Sequence, residues 1–346
     1  MTKPKHILVI RLSALGDVAM TVPVLRVLAK TYPDIRVTVL SRPFFKPLFE
    51  ELSNVQFLEA DVYGTHKNIG LLKLANEAKA LGVTAVADLH NVIRSKVIRN
   101  YLILTGLQTA AIDKGRTEKK ALTRANPDKK LRPLRSMHQR YAEVFQKLGC
   151  SLDLDRHEFP PKKELSPLLH ELIGKHAKKL IGIAPFAAYE GKKYPLSHMT
   201  QVIKSLDATG KYKLFLFGAG HDEIKLLRAF ETKYKSVTNM AGRVSFEEEL
   251  KLISNLDGML SMDSANGHLA ALYGIPVLTL WGVTHPYLGF TPFGQPNTHQ
   301  LVSDRGEYPL IPTSVYGNKA PNGYDKAMES IPPAKVVARL EAITNS

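Results

Sequence analysis

The residues of this chain that can do chemistry sit in short polar clusters, each just after an apolar run. The first is Asp263, Ser264 and His268, inside residues 257–286. There an apolar run through Met259 and Leu260 gives way to a helical pattern closed by Gly274, and a second apolar run ends at Trp281. A strand, turn, helix, strand unit leaves free backbone N–H groups and the positive end of a helix dipole at the turn, which suits a phosphate or a carboxylate. The same residues also fit an ordinary crossover capped by Ser or Asp. The second cluster is Asp17, behind the turn Ser13, Ala14, Leu15, Gly16. It is either a first-turn carboxylate that favours a helix N-terminus or one aimed into a cleft. Gly16 lets a substrate approach the backbone closely and favours the second reading. Lys192 and Lys193 follow Gly191 and offer point charges suited to a diphosphate. Asp222 and Glu223, behind Gly218 and Gly220, can accept hydrogen bonds from a ribose, or serve only as an acidic first helical turn. His90, Asn91, Arg94 and Ser95 open a further helix at another loop.

These clusters need a scaffold that brings strand ends together. The spacing predicts buried-type strands at 6–12, 35–40, 55–60, 84–89 and 109–113, alternating with helices. After a polar, proline-bearing linker at 150–167 a second series begins, with strands at 180–185 and 213–217, a helix capped by Ser245 with Glu248 at the capping-box position, and the unit at 257–286. Such alternation predicts α/β architecture with parallel sheets covered by helices. Ligands then collect at the carboxyl edges of the strands, where all the clusters fall. The first turn reads SALGD, without the G-x-G-x-x-G spacing of a plain Rossmann dehydrogenase.

Composition narrows the function classes. The chain has 346 residues, enough for two domains, with ordinary globular hydrophobic (44%) and charged (23%) fractions. A single cysteine, Cys150, rules out an internal disulfide and a Cys-based zinc site, and fits a reducing compartment. Arg11 and Asp17 interrupt the N-terminal apolar run too early for a signal peptide, and no run is long enough to span a membrane. A cytoplasmic location is expected. The net charge of +15 asks for an anionic partner. Much of it lies in the loop between 113 and 136, where Lys114, Arg116, Lys119, Lys120, Arg124, Lys129, Lys130, Arg132 and Arg135 outnumber the acids. That loop reads either as a solvated surface segment or as a landing strip for an anionic membrane face. Without interleaved aromatics, nucleic acid is the less favoured partner. The D-x-D pair Asp153 and Asp155 sits in the linker and reads as surface.

Several spaced motifs together resemble glycosyltransferase family 9, the heptosyltransferases of the lipopolysaccharide inner core. ILVIRLSALGDVAMTVPVLRVLAKTYP resembles the family's opening signature. D-L-x-x-x-x-R-S is matched by Asp88, Leu89, Arg94 and Ser95, and Lys-x-aromatic-Pro by Lys192, Tyr194 and Pro195. D-[ST]-G-x-x-H-x-A is matched by Asp263, Ser264, Ala265, His268 and Ala270. The chain departs from the family's usual residues at Ala265 (glycine), Tyr194 (tryptophan) and His90 (glutamine).

The resemblance implies a GT-B fold, two Rossmann-like domains whose parallel sheets face across a cleft. It implies an acceptor domain over 1–155 and a sugar-nucleotide domain over 165–330, with a terminal helix over 331–346 that is a candidate for packing back on the first domain. It further implies inverting, metal-independent transfer of heptose from ADP-heptose to a phosphorylated, lipid-linked core acceptor, with no cofactor. The enzyme would associate peripherally with the inner face of the cytoplasmic membrane. By matching position, Asp17 is the general base and Lys192 neutralises the departing diphosphate. Candidate donor contacts are Ser13, Gly16, Lys193, Tyr194, Asp222, Glu223, Asp263, Ser264, Ala265 and His268. Candidate acceptor contacts are His90, Arg94, Lys119, Lys120 and Arg124. Two other readings remain open: a nucleotide-sugar 2-epimerase on the same architecture, and a noncatalytic anion- or nucleic-acid-binding module.

Overall fold

The structure, a computed structural model, describes residues 3–174 and 178–345. The chain divides into two compact units, Met1–Lys114 with Arg135–Glu158, and Gly115–Leu134 with Phe159–Ser346. In the first unit the order is β1 (His6–Ile10), α1 (Leu15–Ala19), α2 (Thr21–Thr31), β2 (Arg36–Ser41), β3 (Val55–Glu59), α3 (Gly70–Ala80), β4 (Ala85–Asp88), α4 (Ile93–Leu104) and β5 (Gln108–Ala111). Then α5 (Arg116–Leu122) belongs to the second unit, and α6 (Met137–Lys147) returns to the first. The second unit continues with α7 (Pro167–Ile173), β6 (Lys179–Ala184), α8 (Leu196–Ala208), β7 (Tyr212–Leu216), α9 (His221–Lys233), β8 (Val237–Asn239), α10 (Phe246–Ser254), β9 (Gly258–Met262), α11 (Ala265–Ala271), β10 (Val277–Trp281), β11 (Gln300–Val302) and α12 (Pro333–Thr344).

Both sheets are parallel, in the orders β3-β2-β1-β4-β5 and β11-β10-β9-β6-β7-β8. Central strands of a parallel sheet are covered on both faces, which is why HILVI and VLTLW are buried at every position and show no alternation. In the first unit Leu8, Ile10, Leu40, Leu74, Val86, Ile98 and Leu102 share one core. Helix α6 starts at Ser136, whose hydroxyl accepts from Gln139 N while the Gln139 side chain accepts from Ser136 N, a reciprocal cap of the kind the sequence pattern encodes. The strand order reverses between β1 and β4 in one sheet and between β6 and β9 in the other. At such a reversal neighbouring connections leave in opposite directions and open a crevice at the carboxyl ends.

Two segments of the chain lie with the second unit. The basic segment 115–134 packs with the second unit, although strand β5 and helix α6 on either side of it belong to the first. The Lys129 ammonium holds it there, donating to Arg124 O (3.1 Å), Leu310 O (2.6 Å) and Pro312 O (2.6 Å), and Leu134 N donates to Tyr287 O. Helix α12 packs on α8 and against β9 and β10 of the second unit. It buries Val336, Leu340 and Ile343, and Lys179 Nζ donates to Thr344 O and to Asn345 Oδ1 at its end. Those three side chains contribute, as an upper figure, about 5–8 kcal/mol to holding it there. Among the described residues no helix is long and apolar enough to cross a membrane.

Candidate active site

At the β1/β4 reversal of the first unit, Arg11 follows β1 and is only 5% exposed. A guanidinium at such a depth requires partners. Nη1 donates to Leu89 O at 2.8 Å, Nη2 meets Asp17 Oδ2 at 2.6 Å, and Cζ lies 6.0 Å from the centroid of the Tyr141 ring. The Tyr141 hydroxyl donates to Asp17 O at 3.4 Å, and burial pushes this phenol well above its ordinary pKa. Asp17 is in the first turn of α1, whose N-cap Ala14 offers no side-chain cap, and its side chain keeps 30% of its exposure. The carboxylate is therefore fixed by Oδ2 and reachable from solvent. Among the described residues Oδ1 has no hydrogen-bond partner.

His90 stands beside this pair. Asp88, fully buried at the end of β4, accepts from His90 N (3.0 Å) and Asn91 N (2.7 Å) through Oδ1 and from Arg99 Nη1 (3.0 Å) through Oδ2. Asn91 can follow this turn because it tolerates the left-handed backbone, here at φ 46°, and its amide donates to Ile112 O. His90 Nδ1 accepts from Leu12 N at 3.4 Å. Burial first, then the charge of Arg11 and Lys114, lowers the imidazole pKa to about 3. A neutral ring whose Nδ1 is an acceptor carries its proton on Nε2 and presents a donor there.

The second constellation lies at the β6/β9 reversal. Lys192 follows β6 and Asp263 follows β9; Nζ and Oδ2 are 3.1 Å apart, with side chains 15% and 9% exposed. Thr284, after β10, donates to the same Oδ2 at 2.9 Å. The Lys192 stem passes over Gly317, where φ is 83° and an added Cβ would stand 2.4 Å from Lys192 Cγ. Gly282 lies so close to Gly191 that a Cβ on it would meet the Gly191 carbonyl at 2.1 Å, and Val283 N donates to that carbonyl. Glycine is used at these positions because no side chain fits. Ser264 is the N-cap of α11 but makes no side-chain cap; its hydroxyl pairs with Ser261 Oγ at 3.1 Å, and Ser261 Oγ accepts Gly267 N. The N–H groups of the first helical turn, at Ala265 and Asn266, need partners from outside the helix. His268 is buried on the same helix. Among the described residues no cluster of metal-ligating side chains occurs.

The model of glycosyltransferase family 9 (heptosyltransferase) matches residues 72–316. The chain belongs to glycosyltransferase family 9. It is 24% identical to lipopolysaccharide heptosyltransferase 2 of Escherichia coli K12 over 364 aligned residues, 97% of this chain and 98% of that protein. Among solved structures it resembles a family 9 glycosyltransferase of Veillonella parvula (TM-score 0.74, 20% identity, 99% and 97% of the two chains). It also resembles E. coli ADP-heptose heptosyltransferase II (TM-score 0.68, 18% identity, 98% of each chain). The fold is accordingly GT-B, and the protein is a glycosyltransferase.

The family 9 motifs do not all point into the two constellations. Asp17, Gly16, Ser13 and His90 gather in the first unit, and Lys192, Asp263, Ser264, Ala265 and His268 in the second. Lys193 instead pairs with Glu190 on the surface. Tyr194 is a core residue, 4% exposed, whose hydroxyl donates to Ile331 O at 2.7 Å. Asp222 is fully exposed beside His221, whereas Glu223 accepts Ala219 N at 2.8 Å and braces the loop before α9. Arg94 is exposed over the Tyr63 ring, and it is Arg99 that pairs with Asp88; Ser95 caps the start of α4 by accepting Val92 N. Lys119 is buried over the Phe290 ring at 4.0 Å, while Lys120 and Arg124 remain exposed. Arg11, Tyr141, Arg99, Thr284 and Gly317 escaped the sequence reading. Only Arg11 carried a signal, as a charge directly behind a wholly apolar strand.

Proposed function

We propose that this enzyme transfers heptose from ADP-heptose to a phosphorylated lipopolysaccharide inner-core acceptor, with inversion and without a metal. The observation that carries the reading is the Lys192–Asp263–Thr284 cluster beside Ser264, which fixes one ammonium group at a strand-order reversal, next to the first-turn N–H groups that open α11. Such a seat suits a nucleoside diphosphate leaving group. In the reaction the acceptor hydroxyl oxygen bonds to the anomeric carbon as the bond to the diphosphate oxygen breaks. Asp17 Oδ1 takes the hydroxyl proton, Arg11 keeps the carboxylate oriented through Oδ2, and Lys192 with Ser264 stabilises the charge that builds on the diphosphate. His90 donates from Nε2 to an acceptor oxygen. Of the other candidate contacts, Gly16, Ala265 and His268 keep the proposed donor role, and Arg94, Lys120 and Arg124 serve the anionic acceptor. The enzyme works at the inner face of the cytoplasmic membrane, where a lipid-linked acceptor resides; this agrees with a net charge of +15.

The test is incubation of the purified protein with ADP-heptose and a panel of phosphorylated, lipid-linked inner-core acceptors in the presence of a chelator, with the anomer of the product assigned by NMR. Transfer with inverted configuration is expected. No transfer, or transfer abolished by the chelator and restored by a divalent ion, would overturn the reading. Donor incubated alone separates the epimerase: an isomerised sugar nucleotide would favour it.

A further inference from the structure

Three connections at the carboxyl edge of the first sheet each hold a large apolar side chain in solvent. Phe44 is 53% exposed after β2, Tyr63 and Ile69 are 65% and 82% exposed between β3 and α3, and Ile93, which opens α4, is 82% exposed. The turn between Tyr63 and Ile69 is held by hydrogen bonds. Asp61 accepts Gly64 N and Thr65 N, and His66 Nδ1 accepts Asp61 N, so Tyr63 and Ile69 flank a pinned turn. Cations alternate with the apolar tips. Arg42 and Arg94 stand over the Tyr63 ring at 6.0 and 5.2 Å, and Arg42 also lies 4.7 Å from the Phe45 ring, against which Phe44 packs edge-on. Neither guanidinium has a carboxylate partner among the described residues, and Arg42 Nε is shut from water without a hydrogen bond.

A protein partner calls for a continuous apolar patch, but here Tyr63 has two guanidiniums over its ring and Phe44 packs on the Phe45 ring that Arg42 also covers. That pattern matches a bilayer interface, where apolar side chains enter the boundary between headgroups and acyl chains while arginines meet lipid phosphates. We propose that this rim docks the enzyme on an anionic lipid bilayer, with Phe44, Tyr63, Ile69 and Ile93 entering the interface. The inference rests on the reading that the enzyme works at a membrane, and it moves the contact from the basic segment 115–134 to the sheet edge that also carries Asp17. In the basic segment Lys119 and Lys129 are already engaged within the second unit.

The experiment is co-sedimentation of the full chain with vesicles of phosphatidylethanolamine and phosphatidylglycerol, and with phosphatidylcholine vesicles as the neutral control. The protein is expected to bind the anionic vesicles. The triple variant Phe44→Ser, Ile69→Ser, Ile93→Ser should bind at least about a hundredfold more weakly, since each removed side chain is worth roughly tenfold in partitioning. Its circular dichroism and its turnover of a short soluble acceptor should be unchanged. The variant Lys120→Glu, Arg124→Glu, Lys130→Glu should bind within about threefold of the parent, where a landing strip would lose roughly 1 kcal/mol per charge removed. Parent-like binding by the triple variant, with loss in the charge-reversed one, overturns the rim and leaves the membrane reading standing. Failure of the parent to bind anionic vesicles overturns both.

Discussion

Replacing Asp17 with Asn tests its proposed role as general base separately from folding. The side chain keeps its shape, so Arg11 Nη2 retains an acceptor at the position of Oδ2, 2.6 Å away, while the capacity to take a proton is lost. The stability cost is limited by exposure. Asp17 is 30% exposed against 6% for the Arg11 side chain, so solvent screens the lost charge and the expected penalty is about 1 kcal/mol. That corresponds to a fall in Tm of roughly 2–4 °C in a unit of this size. Loss of a positioned general base costs about a hundredfold to ten-thousandfold in rate, or roughly 3–6 kcal/mol of transition-state stabilisation. A destabilisation of 1 kcal/mol leaves a stable domain folded, so unfolding cannot produce a rate loss of that size. The assay is turnover under saturating donor and acceptor, with ADP affinity by calorimetry and Tm measured on the same preparation. Near-normal ADP affinity with turnover down by about a thousandfold is expected. Turnover within a few-fold of the parent would remove Asp17 from the proton transfer, and loss of ADP binding together with turnover would show that the variant damages more than the base.

Lys192→Ala removes the cation at the proposed diphosphate seat and should lower ADP affinity and turnover together by at least about tenfold, read by calorimetry and kinetics. Gly317→Ala, whose Cβ would stand 2.4 Å from Lys192 Cγ at a φ of 83°, should cost about 1–2 kcal/mol in stability and reproduce part of the Lys192→Ala defect although residue 317 carries no functional group. Lys129→Met orphans the Leu310 and Pro312 carbonyls and should loosen 115–134, at a cost of about 2–4 kcal/mol, seen as faster hydrogen exchange and tryptic cleavage there. For His90 the folded pKa of about 3 lies below the ordinary 6.5, so the unfolded chain binds more protons between those values and stability falls as pH drops through 6.5. This group alone should remove about 2 kcal/mol between pH 7 and 5, a loss absent from His90→Gln in urea titrations at the two pH values.

The alternation of apolar runs and polar loops was enough to read two parallel sheets, because strands buried on both faces leave unbroken apolar segments such as HILVI and VLTLW. It was also enough to find residues that directly follow a strand, since the chain itself carries them to the carboxyl edge; Asp17, His90, Lys192 and Ser264 all lie within about ten residues of a strand end. The residues that orient them were not legible, for a geometric reason. Thr284 reaches Asp263 from the neighbouring strand, Tyr141 reaches Asp17 from α6, and Gly317 supports Lys192 from a loop far along the chain. Each of these contacts depends on strand order and helix packing and leaves no local spacing to read. In the basic segment it was burial that could not be read. Its charges were plain, but charge says nothing about burial: Lys119 and Lys129 spend theirs on the Phe290 ring and on backbone carbonyls.

The pairing of Lys192 with Asp263 bears on how the proposed diphosphate seat would work. At 3.1 Å, with both side chains largely buried, the two charges nearly cancel at a distance, so the resting seat is close to neutral and an incoming diphosphate does not meet a bare cation. Thr284 donates to the same carboxylate oxygen and so keeps Asp263 in place if Lys192 turns toward a ligand. The ammonium then gains most where negative charge has built up most, on the departing diphosphate, and less on the intact donor, whose diphosphate bears one charge fewer. Interactions that strengthen toward the transition state are the ones that raise kcat. Thr284→Val therefore tests the device: weakening the hold on Asp263 should lower kcat by about tenfold while KM for the donor changes little, because a single hydrogen bond to a charged group is worth about 1.5–3 kcal/mol. A rise in KM at constant kcat would mean that the cluster serves ground-state binding alone.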